Sequence, residues 1–261
     1  MVMGHRGSRA ARSENTLAAF EHAAKVGADV VEFDLVVTKD DRLVVNHDVS
    51  INNENCFIPG KPDSKEPIPI RTLTFDQVRQ YDCGTRKNPS FPKQVPVPGA
   101  RIPSFEEALE LLKPMKVDLM IETKMAPPGS PHEVDPKHFV ELLYRTVSRY
   151  GIADRVILQS FDHRALREMR KLDPKIRLCM LNPARRLPDY IGPAKELGAA
   201  IQFINFRVIQ PNDVEKLHAA GLKIFSGTTD DPSVWKKLAD AKVDGILTDD
   251  PKALVDFLRS R

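Results

Sequence analysis

Cysteine is scarce in this chain. There are three in 261 residues, Cys56, Cys83 and Cys179, and no two stand at C-x-x-C spacing. That excludes a thiolate zinc site of ordinary spacing and a cysteine-dense scaffold. The odd count favours reduced thiols, with a single bridge between two of the three left open. Charge of either sign is nowhere in excess. With 39 basic and 36 acidic residues the formal charge is +3, and the two signs are interspersed along the chain. Nothing here has the concentrated basic footprint of a nucleic-acid-binding protein, so no nucleic-acid partner is expected. No apolar run reaches the ~18 residues of a membrane-spanning helix, and no transmembrane segment is expected. There is also no G-x-G-x-x-G, the phosphate loop that an open doubly wound sheet would place after its first strand.

What is present is an ordinary globular composition, 41% hydrophobic and 29% charged, in a length that suits one large domain of about 250 residues. Val2-Met3 runs directly into a first motif without a signal peptide before it. The chain as written reads as cytoplasmic; with a leader removed it reads as periplasmic or secreted.

Short apolar runs alternate with amphipathic stretches. Val2-Met3 opens the chain, and a helix starts near Asn15 or Thr16 and ends at Gly27. Val30 to Val37 is a β-branched strand, and Leu43 to Val45 returns after an Asp40-Asp41 turn as a hairpin. Residues from about 49 to 101 interrupt the rhythm with Pro, Asn and Lys, holding one helical piece near Phe75 to Tyr81. The stretch reads as an insertion of about 50 residues packed over one end of a single domain. Strand–helix alternation then resumes, with strands at Val117 to Ile121, Val156 to Leu158, Ile176 to Leu181, Ala200 to Asn205, Leu222 to Ser226 and Gly245 to Leu247. Eight such units predict a (β/α)8 TIM barrel, with that insertion after strand two.

In a barrel the polar residues at the C-terminal strand ends gather at one mouth. Read in order, those ends supply His5 and Arg6, Glu32 and Asp34, His47, Glu122 and Lys124, Gln159 and Ser160, the loop 227–231, and Asp249. Glu32 and Asp34 stand at i and i+2, so both side chains share one face. Two carboxylates facing an apolar helix layer would be costly, which places them in the lumen. With Glu122 they form an oxygen ligand set suited to a hard divalent cation, Mg2+ or Ca2+. His5 and His47 are candidates for general acid and base. Arg6 and Lys124 are candidates for phosphate oxygens. Each residue alone has an ordinary structural explanation, such as a strand-end histidine or an internal ion pair. Ser13-Glu14-Asn15-Thr16 reads mainly as a helix cap, and the remaining histidines, His22, His132, His138, His163 and His218, read as surface residues.

The motifs Gly4-His5-Arg6-Gly7, Glu14-Asn15-Thr16, Glu32-Phe33-Asp34, His47-Asp48, Glu122-Thr123-Lys124, Gln159-Ser160-Phe161 and Asp244 to Asp249 resemble, in this order, the glycerophosphodiester phosphodiesterase family. The resemblance covers essentially the whole chain, and the segment from Pro69 to Pro103 looks like the insertion of one bacterial branch. It implies a (β/α)8 barrel that hydrolyses glycerophosphodiesters, small-molecule substrates, to glycerol 3-phosphate and an alcohol. It implies His5 and His47 as the acid/base pair, Glu32, Asp34 and Glu122 as metal ligands, and Arg6 and Lys124 as phosphate contacts. It also implies a route in which a substrate hydroxyl attacks phosphorus and a cyclic phosphate is then opened by water. Gln159, Phe161, Gly227 and Thr228 are pocket candidates. Where the family has Trp-Thr-x-Asn after strand seven, this chain has Gly227-Thr228-Thr229-Asp230. Loss of an indole removes apolar wall on the order of 200 Å2 and predicts a roomier, more polar pocket.

Three alternatives share the fold. The first is a phosphodiesterase acting on lysophospholipids or other diesters. The second is a Schiff-base aldolase with Lys124 as the amine nucleophile, which would leave Glu32 and Asp34 without a task. A barrel that binds phosphorylated ligands without catalysis leaves His5 and His47 equally idle.

Overall fold

The computed structural model describes residues 1–261 apart from the side chain of Pro211. Eight parallel strands close into a barrel: β1 (Val2–Gly4), β2 (Val30–Val37), β6 (Asp118–Thr123), β7 (Val156–Ser160), β8 (Arg177–Leu181), β9 (Ile201–Phe203), β10 (Lys223–Ser226) and β11 (Gly245–Thr248). Closure comes from β1, which pairs β2 on one side and β11 on the other. β3 (Leu43–Val45) is the predicted hairpin partner, antiparallel to Leu35–Val37 of β2.

The period-2 alternation of the strands separates two cores. On β2, Val31, Phe33 and Leu35 point outward into the helix layer, where Phe33 meets Phe20 and Phe105 at ring centroids of 5.1 and 6.1 Å. Inside the barrel a separate apolar plug contains Met3, Val30, Met120, Ile157, Cys179 and Phe225. Glu32, Glu122 and Gln159 follow Val30, Met120 and Ile157 by two residues on the same strands. The lumen therefore changes from apolar to charged one step toward the C-terminal mouth.

The helices α1 (Leu17–Lys25), α3 (Phe105–Leu112), α4 (Pro136–Tyr150), α5 (His163–Leu172), α6 (Ile191–Leu197), α7 (Pro211–Ala219), α8 (Pro232–Asp240) and α9 (Pro251–Arg259) cover the barrel. Their starts follow local chemistry. Thr16 accepts from Ala19 N, Ser104 closes a capping box with Glu107, and Asp135, Asp162, Asp231 and Asp250 cap helices at their N-termini.

The stretch 49–101 is built from a short antiparallel pair, β4 (Ser50–Ile51) with β5 (Ile68–Pro69), and a four-residue helix α2 (Phe75–Val78). The helical piece is shorter than the sequence suggests, because the chain turns out of it to pair Asp82 with Phe57 and with Arg101. A small core of its own, including Ile51, Ile70, Val78, Tyr81 and Ile102, packs on Val36 and Val44 at the back of the β2–β3 hairpin.

Cys56 and Cys83 are joined by a disulfide within that core, leaving Cys179 as the free and buried thiol. The expectation of reduced thiols is corrected for two of the three. The cysteines consequently supply no argument for a reducing compartment. Spacing could not reveal the pair, because the two cysteines stand 27 positions apart in sequence and the chain between them is folded back by β4, β5 and α2. By loop-closure entropy a bridge over such a span contributes about 3.5 kcal/mol. Replacing both cysteines with alanine is therefore expected to lower the denaturation midpoint of the protein by an amount matching roughly 3 kcal/mol in a urea titration; an unchanged midpoint would show that the bond constrains nothing. Among the described residues no helix is long and apolar enough to cross a membrane.

Candidate active site

The turn after β1 is dictated by its glycines. A Cβ on Gly4 would lie 2.2 Å from Gly7 O, and Gly7, at φ +86°, packs against the backbone of Ala19. Only glycine fits both places. The turn thereby brings its backbone onto β2: Gly7 N donates to Glu32 O at 3.0 Å, and Arg6 N donates to Glu32 Oε2 at 2.7 Å. Of the two residues between the glycines, His5 lines the cavity at the mouth, while the Arg6 guanidinium turns to Glu14.

Glu32, Asp34 and Glu122 converge as the i, i+2 reading requires. One oxygen from each lies within 4.8 Å of the others, and all three are buried. Burial, and then the neighbouring Asp34 charge, pushes Glu32 well above the usual carboxylate range and Glu122 up to about 7. Asp34 moves the other way: burial would raise it, but Lys124, His47 and Arg6 outweigh that and hold it below its ordinary value. Three buried carboxylates with insufficient positive charge are what a hard cation would relieve. Gln159 adds a neutral oxygen: its amide nitrogen donates to Glu32 Oε1 at 2.9 Å, while its own buried Oε1 has no protein partner. This donor set, with no sulfur and no paired imidazole, fits Mg2+ or Ca2+ better than zinc.

Lys124 Nζ bridges Glu122 Oε1 at 2.7 Å and Asp34 Oδ1 at 3.2 Å. Burial would lower the ammonium's pKa, but Asp34 and Glu122 outweigh it and keep the amine charged. A Schiff-base nucleophile needs the opposite shift, so the aldolase reading loses its central residue. Arg6 is set in the same way. Its guanidinium binds Glu14 Oε1 at 2.6 Å and lies 3.8 Å from Asp34, and those charges overcome burial and raise its pKa.

The two histidines are built alike. His5 Nδ1 is 2.6 Å from Asp249 Oδ1, and His47 Nδ1 is 2.8 Å from Asp48 Oδ1. A carboxylate on Nδ1 fixes the ring and leaves Nε2 for chemistry. Asp249 is itself positioned, since its backbone N donates to Asp230 Oδ1 at 2.9 Å, as Thr248 Oγ1 does at 2.7 Å.

One cavity of about 210 Å3 brings together His5, His47, Glu32, Glu122, Lys124 and Gln159. Phe161, Gly227, Thr228, Asn182 and Asn205 also line it, whereas Arg6 and Asp34 lie behind this wall. Gly227 leaves no room for a side chain as the backbone stands, because its Cβ would meet Leu247 O at 2.4 Å. The lining here mixes the polar Asn182, Asn205 and Thr228 with the apolar Leu181, Phe203 and Leu247. A Gly227→Trp replacement would displace β11 rather than only refill the wall.

Sequence reasoning read Glu14 and Asn15 as part of a helix cap, and it placed Asp249 at the mouth without giving it a role. Thr16 does cap α1, but Glu14 holds Arg6, and Asn15 Nδ2 donates to Asp34 Oδ2 at 2.9 Å. The available signal was a run of polar residues longer than a cap requires, together with an acidic residue at the end of the last strand. Of the other histidines, His22 is only half-buried, and its Nδ1 meets Ser8 Oγ at 3.0 Å.

A closed eight-stranded barrel with this constellation at its C-terminal mouth defines a phosphodiester hydrolase of a known kind: residues 5–253 match the model of the Glycerophosphoryl diester phosphodiesterase family, and the chain belongs to that family of phosphoric diester hydrolases. It is 29% identical to a glycerophosphodiester phosphodiesterase of Caldanaerobacter subterraneus subsp. tengcongensis, over 99% of this chain and 98% of that protein. It is 30% identical to one of Bacillus altitudinis, over 97% of this chain and 96% of that protein. Among solved structures, an Oleispira antarctica phosphodiesterase in complex with the product sn-glycerol-3-phosphate superposes with a TM-score of 0.84 at 22% identity, covering 99% of this chain and 96% of that one. At that identity the superposition speaks for the fold.

Proposed function

We propose that the protein hydrolyses glycerophosphodiesters to glycerol 3-phosphate and an alcohol with the help of a divalent cation, Mg2+ or Ca2+. The observation that carries the reading is the meeting of two carboxylate-braced imidazoles, His5 and His47, with Glu32 and Glu122 of the carboxylate cluster in one cavity. Glu32, Asp34 and Glu122 would hold the cation, whose positive charge would neutralise non-bridging phosphate oxygens. Lys124 and Arg6 add fixed positive charge for the same oxygens.

In this reading a hydroxyl of the glycerol unit attacks phosphorus as one imidazole Nε2 takes its proton. The other imidazolium gives a proton to the alcohol oxygen as its P–O bond breaks. Water then opens the cyclic phosphate with the two roles exchanged, returning both rings to their starting states. Gln159, Asn182, Asn205 and Thr228 offer hydrogen bonds to hydroxyls in the cavity. A second reading, a lysophospholipid substrate, draws support from Phe161, 59% exposed at the edge of a neighbouring groove lined by Met125, Pro127 and Pro128. The Cys56–Cys83 bond favours a compartment that oxidises thiols.

The decisive assay offers glycerophosphocholine, glycerophosphoethanolamine, a lysophosphatidylcholine and bis(p-nitrophenyl) phosphate, with and without EDTA. Release of glycerol 3-phosphate that stops on chelation and returns with Mg2+ or Ca2+ supports the first reading, and preference for the lysolipid supports the second. Release that continues in EDTA defeats the metal-dependent mechanism. A 31P NMR time course without a cyclic species, with solvent oxygen entering in the first step, defeats the proposed route.

A further inference from the structure

Arg9 belongs to none of the motifs that point to the site, yet it stands between the supports of two catalytic candidates. Its Nε is bound to Glu14 Oε2, and the other oxygen of that carboxylate holds Arg6. Its Nη1 lies 4.0 Å from Asp249 Oδ2, and the other oxygen of that carboxylate holds His5. A single guanidinium thus closes a chain from His5 through Asp249, Arg9 and Glu14 to Arg6, all on partly buried side chains.

Arg9 is in turn held by the insertion. Phe91 stacks on its guanidinium, 5.0 Å from the ring centroid. Gln94, buried, donates to Arg9 O at 2.8 Å and to Arg12 O at 3.1 Å. Val95 N donates to Ala11 O at 2.9 Å, and Ser13 Oγ reaches Gly84 O. On the opposite side Ala10 N donates to Asp249 O at 2.9 Å. Residues 8–15 have no helix or strand of their own, so these contacts supply the rigidity that a regular element would otherwise give.

We propose that Arg9 is a positioning residue for the reaction, and that the insertion, through Phe91 and Gln94, uses it to set His5 and Arg6 together. The inference rests on the roles given to His5 and Arg6 above. It assigns the insertion a part in catalysis apart from any contact with substrate. Because each oxygen of Glu14 and of Asp249 has its own partner, losing the guanidinium leaves one oxygen of each carboxylate without it and frees Glu14 and Asp249 to move. Misplacement of a reacting group by about 1 Å can cost about 100-fold in rate.

The test compares Arg9→Met, Arg9→Lys and Gln94→Ala with the wild type on a glycerophosphodiester, alongside thermal melts and calorimetric titration with Mg2+ or Ca2+. Arg9→Met is expected to lower kcat by about 10- to 100-fold, with KM and cation affinity within about threefold of wild type. Arg9→Lys should recover part of kcat, and Gln94→Ala should show a smaller loss of the same kind. Combining Arg9→Met with Asp249→Asn should cost less than the two single losses taken together, because the two changes share the arm that acts through His5. A kcat for Arg9→Met within about twofold of wild type overturns the inference. So does a loss that appears equally in KM and melting temperature and is not relieved by lysine. An inactive wild type, by contrast, would reject the proposed activity itself.

Discussion

Alanine at His5 or at His47 is expected to lower kcat for a glycerophosphodiester by about 10²- to 10⁴-fold, with cation affinity and melting temperature close to wild type. The expectation follows from how the rings are held. Each imidazole has its Nδ1 engaged by a carboxylate, Asp249 at 2.6 Å or Asp48 at 2.8 Å, and neither ring is hydrogen-bonded to Glu32, Asp34 or Glu122. Removing a ring therefore deletes a proton carrier and breaks no hydrogen bond or ion pair of the carboxylate cluster. The two variants can also be told apart. An alcohol such as choline must be protonated as it leaves, whereas p-nitrophenolate departs without help. The histidine whose loss is far smaller with glycerol p-nitrophenyl phosphate, which keeps the attacking hydroxyl and changes only the leaving group, than with glycerophosphocholine is the acid; the one whose loss is the same with both is the base. Rates within about tenfold of wild type for both variants would remove the histidines from the mechanism.

The sequence foreshadows the barrel closely where local chemistry decides. Val30 to Val37 and Leu43 to Val45 are read to the residue, because β-branched runs between polar turns leave few alternatives. The structure gives both strands the same bounds. The i, i+2 carboxylates are legible because strand geometry forces a common face and burial then demands a cation. Contacts that depend on two distant segments meeting are not legible. Asp249 and His5 are 244 positions apart, and no spacing rule joins them. The insertion is the clearest case. Its proline-rich sequence reads as a loop, but a disulfide and a few apolar residues give it a core, and Gln94 is buried only because Arg9 and Arg12 present their carbonyls to it. The segment 13–16 shows how one sound reading can hide another. Thr16 satisfies the helix cap, and that sufficed until Glu14 and Asn15 were seen facing Arg6 and Asp34.

The carboxylate cluster makes the second large prediction, and its sign with pH is fixed. Glu122 is raised from an ordinary 4.5 to about 7 by burial and by Asp34. A carboxyl whose folded pKa is raised stabilises the fold in its protonated form. Its contribution is fully present below about 4.5 and is lost as pH rises through about 7. Without a divalent ion, Glu122 therefore lowers the melting temperature between pH 6 and pH 8. A bound cation takes the place of that proton, so its stabilisation should be greatest at pH 8 and should fade as pH drops through 7. Calorimetric titration with Mg2+ or Ca2+ is expected to give an affinity about tenfold or more higher at pH 8 than at pH 6, and melts in EDTA should show the reverse trend. Glu122→Gln should flatten this pH dependence while weakening binding. Asp34→Asn should lower affinity by more than about 100-fold, since even outer-shell partners of a metal ligand commonly account for 10- to 100-fold. In that variant Lys124 also loses one of its two carboxylate partners, so kcat should fall even at saturating cation. An affinity that stays level from pH 6 to pH 8, or a Glu122→Gln protein that binds as wild type does, would place the cation somewhere other than between Glu32, Asp34 and Glu122.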